Sequence, residues 1–503
     1  MSGQHETVSI AALMERSGVK FGTSGARGLA VDMSDQVCYA YTLAFLQYLE
    51  QIGDLTTGSH VAIAGDYRPS SPRIMAAVAM AVGDFGCTPV NCGMIPIPAV
   101  ALYGISQAVP GIMVTGSHIP DDRNGIKFYK SAGEILKEDE QGMCSQRVEI
   151  ASALFDGGGN ALEPVALTDI DPVAREQFVQ RYLDFFPVYC LQGKTVGVYE
   201  HSTVIRDMLG EIFEGLGARV IRLGRSDHFI PVDTEAIRPE DVVLAHDWAK
   251  ELHVDCIVSA DGDGDRPLIS DEHGNWLRGD VAGILCAKYL SADHIATPVS
   301  CNSAVEKSGW FEQIDRTRIG SPFVIAAMNK ALEQGESGPM RNVVGYEANG
   351  GFLTASDITI DGRTLKALPT RDAVIVTITI LLMATEAGSS ISELLNKLPQ
   401  RFTSSGRLKN FPTELSQSKL AALSSGDTAQ DMKAAEILFA DAFGPVASID
   451  YTDGIRITFA SDEVAHLRPS GNAPELRCYN EAASEARAKE MNRHCMGILE
   501  SWR

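Results

Sequence analysis

The chain has 503 residues, too many for one hydrophobic core, so about three or four domains are expected. Apolar residues make up 45% and charged residues 21%, the composition of an ordinary globular protein. A formal net charge of -22 argues against gripping nucleic acid or an anionic membrane, but not against a local basic pocket for a small anion.

The N-terminus, "MSGQHETVSIAALMERSG", has no basic segment followed by a long apolar one, so no secretory signal is expected. The ten cysteines are scattered, without a C-x-x-C pair or a histidine cluster, which disfavours structural zinc and suits reduced thiols in the cytosol.

"HVAIAGD" reads as a buried strand and "SSPRIMAAVAMAVGDFG" as a helix with a serine start and a glycine stop. "TPVNCG" and "GIMVTG" read as further strands. After the glycine-rich "DGGGNALEP", a second unit runs through "KTVGVYE", the helical "VIRDMLGEIFEGLG", "ARVIRLG", another helix and "VDCIVSA". A third has the helix "DVAGILCAKYL", the strand "VVGYEA" and an apolar helix starting near Arg371. That helix includes "AVIVTITILLMA", much shorter than the roughly 20 residues that cross a bilayer. Past Pro399, "VASIDYTDGIRITFA" reads as a hairpin with an Asp-Gly turn. Two more strands follow, then a terminal helix, with "RFTSSGR" and "SSGDTAQD" as flexible neighbours. The expectation is an α/β protein: three related α/β units with mixed, mostly parallel sheets, and a C-terminal α+β domain. The boundaries are set at 1–163, 164–277, 278–398 and 399–503.

Ligands of open α/β sheets sit beyond the carboxyl ends of the strands. Three unusual sequences occupy that position: "TGSHIP", "DGDGDR" and "EANGG". Their shared placement suggests one cleft. In "DGDGDR", Asp261, Asp263 and Asp265 can converge on one hard cation, and without a cation they would repel. This favours magnesium over a solvated acidic turn. An EF-hand, with Glu272 as twelfth residue, is disfavoured because Arg266 stands where that loop needs glycine.

"RPSGNAPELR" places Arg468 and Arg477 around Ser470, Gly471 and Asn472, a composition that suits a phosphate cradle, although arginines beside a Ser-Gly turn are more often surface decoration. "FGTSGARG" adds Arg27 in a glycine-rich turn without the ending of a Walker loop. In "GYEANGG", Glu347 and Asn349 could pair with sugar hydroxyls or simply cap a turn. Ser117 and His118 are adjacent but lack the G-x-S-x-G of a hydrolase elbow. A phosphoryl group on Ser117, a cation held by the aspartates and the charge of Lys127 would together make a phosphoryl-transfer site.

The ordered set "FGTSGARG", "GIMVTGSHIPDDRNGIKFY", "DGDGDR", "GYEANGG" and "RPSGNAPELRCYNEA" resembles the α-D-phosphohexomutases over nearly the whole chain. The loops "GYEANGG" and "LPTRDAV" are most similar to those of bacterial phosphomannomutases. The resemblance implies four domains around a deep cleft, and reversible interconversion of hexose 1-phosphate and hexose 6-phosphate, with mannose phosphates as the preferred pair. It also implies a phosphoserine enzyme, Mg2+, and a hexose 1,6-bisphosphate intermediate and primer. Phosphoglucomutase, phosphoglucosamine mutase and a non-catalytic sugar-phosphate binder are the alternatives.

By the same resemblance Ser117 carries the phosphoryl group and, with Asp261, Asp263 and Asp265, ligates the metal. His118, Lys127 and Arg27 assist transfer. Arg266, Glu347 and Asn349 meet the sugar, while Arg468, Ser470, Gly471, Asn472 and Arg477 hold its non-reacting phosphate. The expected partner is a small phosphosugar, with no nucleic acid and no membrane, for a cytoplasmic monomer or dimer. The chain departs from the family's Thr-Ala-Ser-His-Asn-Pro loop at Gly116 and Ile119, and from its usual phosphate and sugar loops at Asn472, Ala473 and Gly351.

Overall fold

The computed structural model describes residues 5–22, 25–335, 341–470 and 474–503. It divides into two compact units: Met1–Ser291 with Asn349–Ser392, and Ala292–Ala348 with Glu393–Arg503.

The first unit contains a seven-stranded mixed sheet in which His60–Gly65 is parallel to the edge strand Thr88–Gly93 on one side and to Gly111–Val114 on the other. Gly111–Val114 then pairs antiparallel with Arg123–Lys130, which pairs antiparallel with Ala26–Leu29. All four residues of "GIMV" are buried, as expected of an inner strand covered on both faces. Helices Asp35–Ile52 and Ser71–Asp84 bury apolar residues in the core that also holds Ile63, Ile112 and Val114.

A second sheet in this unit has Thr195–Tyr199 between parallel Arg219–Leu223 and parallel Cys256–Ala260, with Pro267–Ile269 antiparallel at its edge. The apolar helix Ala373–Glu386 begins with Asp372 accepting the N–H groups of Val374 and Ile375, and packs against Gly279–Tyr289. Its apolar residues point all round because it is buried all round. Among the described residues, no helix is long and apolar enough to cross a membrane.

The second unit begins with His294–Pro298, parallel to both Gln313–Thr317 and Val343–Tyr346. It ends in a five-stranded antiparallel sheet ordered Phe402–Lys409, Glu475–Ala482, Val464–Pro469, Ile455–Phe459 and Val446–Asp450. Ile455, Ile457, Ala465, Leu467 and Cys478 share a core with helices Thr428–Phe443 and Glu485–Glu500.

Two expectations need correction here. "RFTSSGR" is not flexible: it lies in the edge strand Phe402–Lys409, paired residue for residue with Glu475–Ala482. An edge strand with one open side tolerates the polar residues that made it read as a loop. "SSGDTAQD" is likewise an ordered helix start, where Asp427 accepts from Ala429 and Gln430 N–H.

Candidate active site

Ser117 follows the strand Gly111–Val114 in a backbone conformation with φ +57°, unusual for a residue with a side chain. Two neighbours hold its backbone there. Its N–H donates to Thr115 Oγ1 at 2.8 Å, and its carbonyl accepts from Arg68 Nη2 at 2.9 Å. The same Nη2 donates to the Ile119 carbonyl. Arg68 is itself fixed, paired with Asp66 and stacked with its Cζ 4.0 Å from the Phe229 ring centroid. Asp66 also accepts from Ser71 Oγ at 2.6 Å and from Thr115 Oγ1 at 2.7 Å. Strain of this kind persists only where surrounding contacts over-determine it.

The aspartate turn joins the buried strand Cys256–Ala260 to its antiparallel partner Pro267–Ile269. Its backbone is tied down by Thr203 Oγ1, which donates to Asp261 O at 2.7 Å, and by Ile97 N–H, which donates to Asp263 O at 3.1 Å. Gly262 must lack a side chain, because a Cβ there would lie 2.9 Å from the Ser117 carbonyl oxygen. That close approach brings the two loops together. Ser117 Oγ donates to Asp261 Oδ2 at 2.7 Å and lies 3.2 Å from His118 Nδ1. Thr115 Oγ1, 3.2 Å from Asp263 Oδ2, is a second link.

Asp261, Asp263 and Asp265 are fully buried, each presenting an oxygen within 4.8 Å of the others. Three cations meet them. Lys127 Nζ is 2.8 Å from Asp263 Oδ2 and 3.4 Å from Asp265 Oδ2, Arg371 Nε is 2.9 Å from Asp265 Oδ2, and Arg266 Nε is 3.7 Å from Asp265 Oδ1. Burial and the two neighbouring carboxylates push Asp261 well above the usual carboxylate range. Asp263 lies below that range: burial opposes its ionisation, but the charge and hydrogen bond of Lys127, the Asp261 hydrogen bond and the Arg266 charge together outweigh it.

The donor set fits a hard divalent cation. Among the described residues, Asp263 Oδ1 and Asp265 Oδ1 are buried without a hydrogen-bond partner, and the three aspartates offer oxygen ligands. An EF-hand is excluded by geometry, since Glu272 is engaged by the hydroxyl and N–H of Ser392.

His118 Nδ1 accepts from Arg266 Nη1 at 3.0 Å. Burial, then the Arg266 charge, lowers its pKa to about 3, so the ring is neutral. Arg27 lies in the strand Ala26–Leu29, opposite Gly125. Its pKa falls to about 10 through burial and Arg266, and its Nε is buried without a partner among the described residues. Ser117, His118, Lys127, Arg27, Arg266 and the three aspartates therefore form one cluster.

Asn349 belongs to the same unit; its carbonyl accepts from Thr234 Oγ1 at 2.7 Å and its Oδ1 from Gly351 N–H at 2.9 Å. Glu347 is buried in the second unit, immediately after the strand Val343–Tyr346. There, too, Arg468 and Arg477 face each other in register across two antiparallel strands. Arg468 pairs with Asp453 at 2.8 Å, and Ser470 N–H donates to Glu475 O at 2.8 Å. Gly471 and Asn472 lie outside the described residues.

Sequence reasoning missed Asp66, Arg68, Thr115 and Arg371. A signal existed for the first two: "GDYRPSS" follows the strand His60–Gly65, at the same sheet edge as "TGSH".

Family models for phosphoglucomutase/phosphomannomutase match the chain in three places: α/β/α domain I at residues 18–152, α/β/α domain III at 278–402 and the C-terminal domain at 419–494. A phosphomannomutase of Salmonella muenchen is 46% identical over 474 residues, covering 94% of each chain. A phosphomannomutase of Sinorhizobium fredii is 42% identical over 486 residues, 96% of this chain and 99% of that one. A crystal structure of a phosphoglucomutase/phosphomannomutase family protein from Burkholderia thailandensis shares the fold, with TM-score 0.70 at 20% identity, covering 95% of this chain and 97% of that one. The chain belongs to the phosphoglucomutase/phosphomannomutase family.

Proposed function

We propose that the protein reversibly interconverts hexose 1-phosphate and hexose 6-phosphate, with mannose phosphates as its preferred pair, through phosphorylated Ser117 and a hexose 1,6-bisphosphate. The observation that carries this reading is the Ser117 hydroxyl 2.7 Å from Asp261, within a cluster whose other carboxylates are spanned by Lys127. A hydroxyl so placed can carry a phosphoryl group beside both a cation site and fixed positive charge.

In the forward half-cycle the bond from phosphorus to Ser117 Oγ breaks and one from phosphorus to a sugar hydroxyl oxygen forms. The hydroxyl proton leaves the sugar, and Ser117 Oγ is restored as a hydroxyl. Lys127 is the group assigned to proton movement, with Arg27 and Arg266 compensating charge on the phosphoryl oxygens. His118, held neutral, orients Ser117 Oγ. The second half-cycle reverses these bonds after the bisphosphate turns, returning its other phosphate to Ser117.

Asp261, Asp263 and Asp265, with a phosphoserine oxygen, would hold Mg2+, which when bound withdraws charge from the transferring group. Glu347 and Asn349 read the ring, and Arg468, Ser470, Gly471, Asn472 and Arg477 hold the non-reacting phosphate. We assign these roles to four domains, 1–163, 164–277, 278–398 and 399–503, in a cytoplasmic monomer or dimer.

The test compares initial rates on mannose, glucose and glucosamine 1-phosphates with Mg2+ and a bisphosphate primer. Mannose 1-phosphate should turn over fastest, and Ser117→Ala should abolish both turnover and the added phosphoryl mass on the peptide containing residue 117. Undiminished turnover by Ser117→Ala would refute the assignment.

A further inference from the structure

The second unit holds a cavity of about 260 Å3 that none of the roles above uses. Ser303, Lys307 and Arg316 line one side and Arg456, Thr458 and Val464 of the C-terminal sheet the other, with the carboxylates of Glu306, Asp450 and Asp462 also on the wall. Glu306 and Asp462 are held by Arg316 and Lys307, and Asp450 stands opposite Arg456 in register. The C-terminal sheet has an apolar face on its helices, while Arg456, Thr458 and His466 belong to its other, polar face. Polar contacts around the cavity join the two sides: Ser303 bonds Glu481, Asn302 donates to the Arg401 carbonyl at 2.8 Å, and Lys307 pairs with Asp462 at 3.0 Å.

Of the cations at this cavity, two are already engaged. Arg316 donates to Glu306 and to the carbonyls of Pro298, Cys301 and Asn302, while Lys307 has Asp462. Arg456 is different. It forms no ion pair among the described residues, and its hydrogen bond to Thr458 Oγ1 is long, at 3.3 Å. Burial and the nearby Arg316 charge lower its pKa, so its strongest charged neighbour repels it. A guanidinium beside a like charge and facing a cavity offers a paired set of N–H donors to an anion.

A second void shares Val299, Arg456 and Val464 with the first and reaches His466 and Thr403. His466 is 1% exposed, and its Nε2 lies 2.6 Å from the Asp453 carbonyl, so Nε2 carries the proton and Nδ1 is an acceptor. Among the described residues that Nδ1 is buried without a partner, as is Thr403 Oγ1. One anion-seeking group thus lines the cavity, and one acceptor lacking a hydrogen lines an adjoining void of about 10 Å3, room for a single water, which Arg456 also lines.

We propose that this cavity is a second ligand site, for a sugar-sized phosphate monoester. Arg456 holds the phosphate, and His466 Nδ1 accepts a hydroxyl hydrogen directly or through one water. The volume lies just below the roughly 300–1,000 Å3 of pockets for drug-sized ligands, which suits a small polar metabolite. The strand that begins at Val464 beside the cavity ends at Arg468 and Pro469, next to Ser470. A ligand joining the two sides therefore bears on the strand that carries Arg468, and the site is regulatory.

The test is equilibrium binding of mannose 6-phosphate to the full-length protein, read as sites per chain and separately from turnover, so it stands apart from the mutase reading. Wild type should show two sites. Arg456→Gln should weaken one of them about 10- to 100-fold, the loss of a charge-assisted hydrogen bond, and Thr458→Val should weaken the same one about 5-fold. Arg468→Gln should weaken the other. Wild-type binding with no site sensitive to Arg456→Gln, whether one site is seen or two, overturns the proposal, whereas a single Arg456-dependent site would count against the Arg468 site instead. Inorganic phosphate binding the Arg456-dependent site as tightly as mannose 6-phosphate would refute recognition of the hydroxylated part.

Discussion

Replacing Lys127 with methionine keeps most of the side chain's length and removes one charge from the aspartate cluster. The wild-type ammonium is 2% exposed and lies 2.8 Å from Asp263 and 3.4 Å from Asp265. Removing one partner of a buried ion pair leaves an uncompensated buried charge and costs about 3–5 kcal/mol. At roughly 2 °C per kcal/mol for a unit of this size, Tm should fall by about 6–10 °C when measured with a chelator present. Saturating Mg2+ should recover most of that loss, because a divalent cation replaces the missing charge beside the same carboxylates. Turnover should not recover. Losing a fixed positive charge beside the transferring phosphoryl group costs about 10²–10³ in kcat. Differential scanning calorimetry with and without Mg2+, alongside initial rates, checks both halves. A Tm deficit of the same size in both conditions would show that the aspartates do not form the cation site, and an unchanged kcat would remove Lys127 from the chemistry.

Three further outcomes are expected. Mg2+ should bind the protein phosphorylated on Ser117 at least about 5-fold more tightly than Ser117→Ala in titration calorimetry, since two linked ligands strengthen each other equally; equal affinities would separate the serine from the cation site. Gly116→Ala should slow turnover about 100-fold, because a Cβ there would lie 2.8 Å from Arg68 Cζ and must shift the guanidinium that holds Ser117. Unaltered kcat would mean Arg68 does not set the loop. His201, fully buried with Nε2 2.8 Å from the Ala260 carbonyl, has its pKa lowered to about 4 by burial. Between about pH 4 and 6.5 the unfolded chain takes up a proton that the folded one refuses, so His201 makes stability fall as pH falls through that window. Tm measured across it should drop less steeply in His201→Gln than in wild type, and parallel curves would contradict this.

The parts of the site that were legible in the sequence are those whose chemistry shows in residue type. Carboxylates at every second position, as in Asp261, Asp263 and Asp265, have few reasons to coexist other than a cation. Ser117 became recognisable because the segment before it reads as an inner strand and ligands gather at such strand ends. What stayed hidden acts through the backbone or across long separations. Arg68 reaches Ser117 through a carbonyl, 49 positions away, and Arg371 reaches Asp265 across 106. Arg68 at least stands in a turn at the end of an inner strand, whereas nothing in the local composition distinguishes Arg371 from a surface residue. The edge strand containing "RFTSSGR" was misread for the opposite reason: its polar residues report one open side of a sheet, which local pattern does not separate from a loop.

The charges around Ser117 give these separate contacts a common sense. Once all three buried aspartates are ionised, as metal ligation requires, the three cations within ion-pair distance of them, Lys127, Arg371 and Arg266, balance their charge. Aspartates alone would bind a divalent cation by charge, whether or not a phosphoryl group were present. With three fixed cations among them that attraction is largely cancelled, and a divalent ion entering alone would leave a buried charge of about +2, which a low-dielectric interior penalises. A phosphoserine contributes about -1.5 to -2, so cation and phosphoryl group together restore neutrality where neither does alone. The same cations that blunt metal binding in the bare protein are the ones placed to stabilise the phosphoryl group as it moves. Arg68, Thr115 and the strained backbone of Ser117 then fix the one coordinate that the charge balance leaves open, the position of the hydroxyl that must meet both.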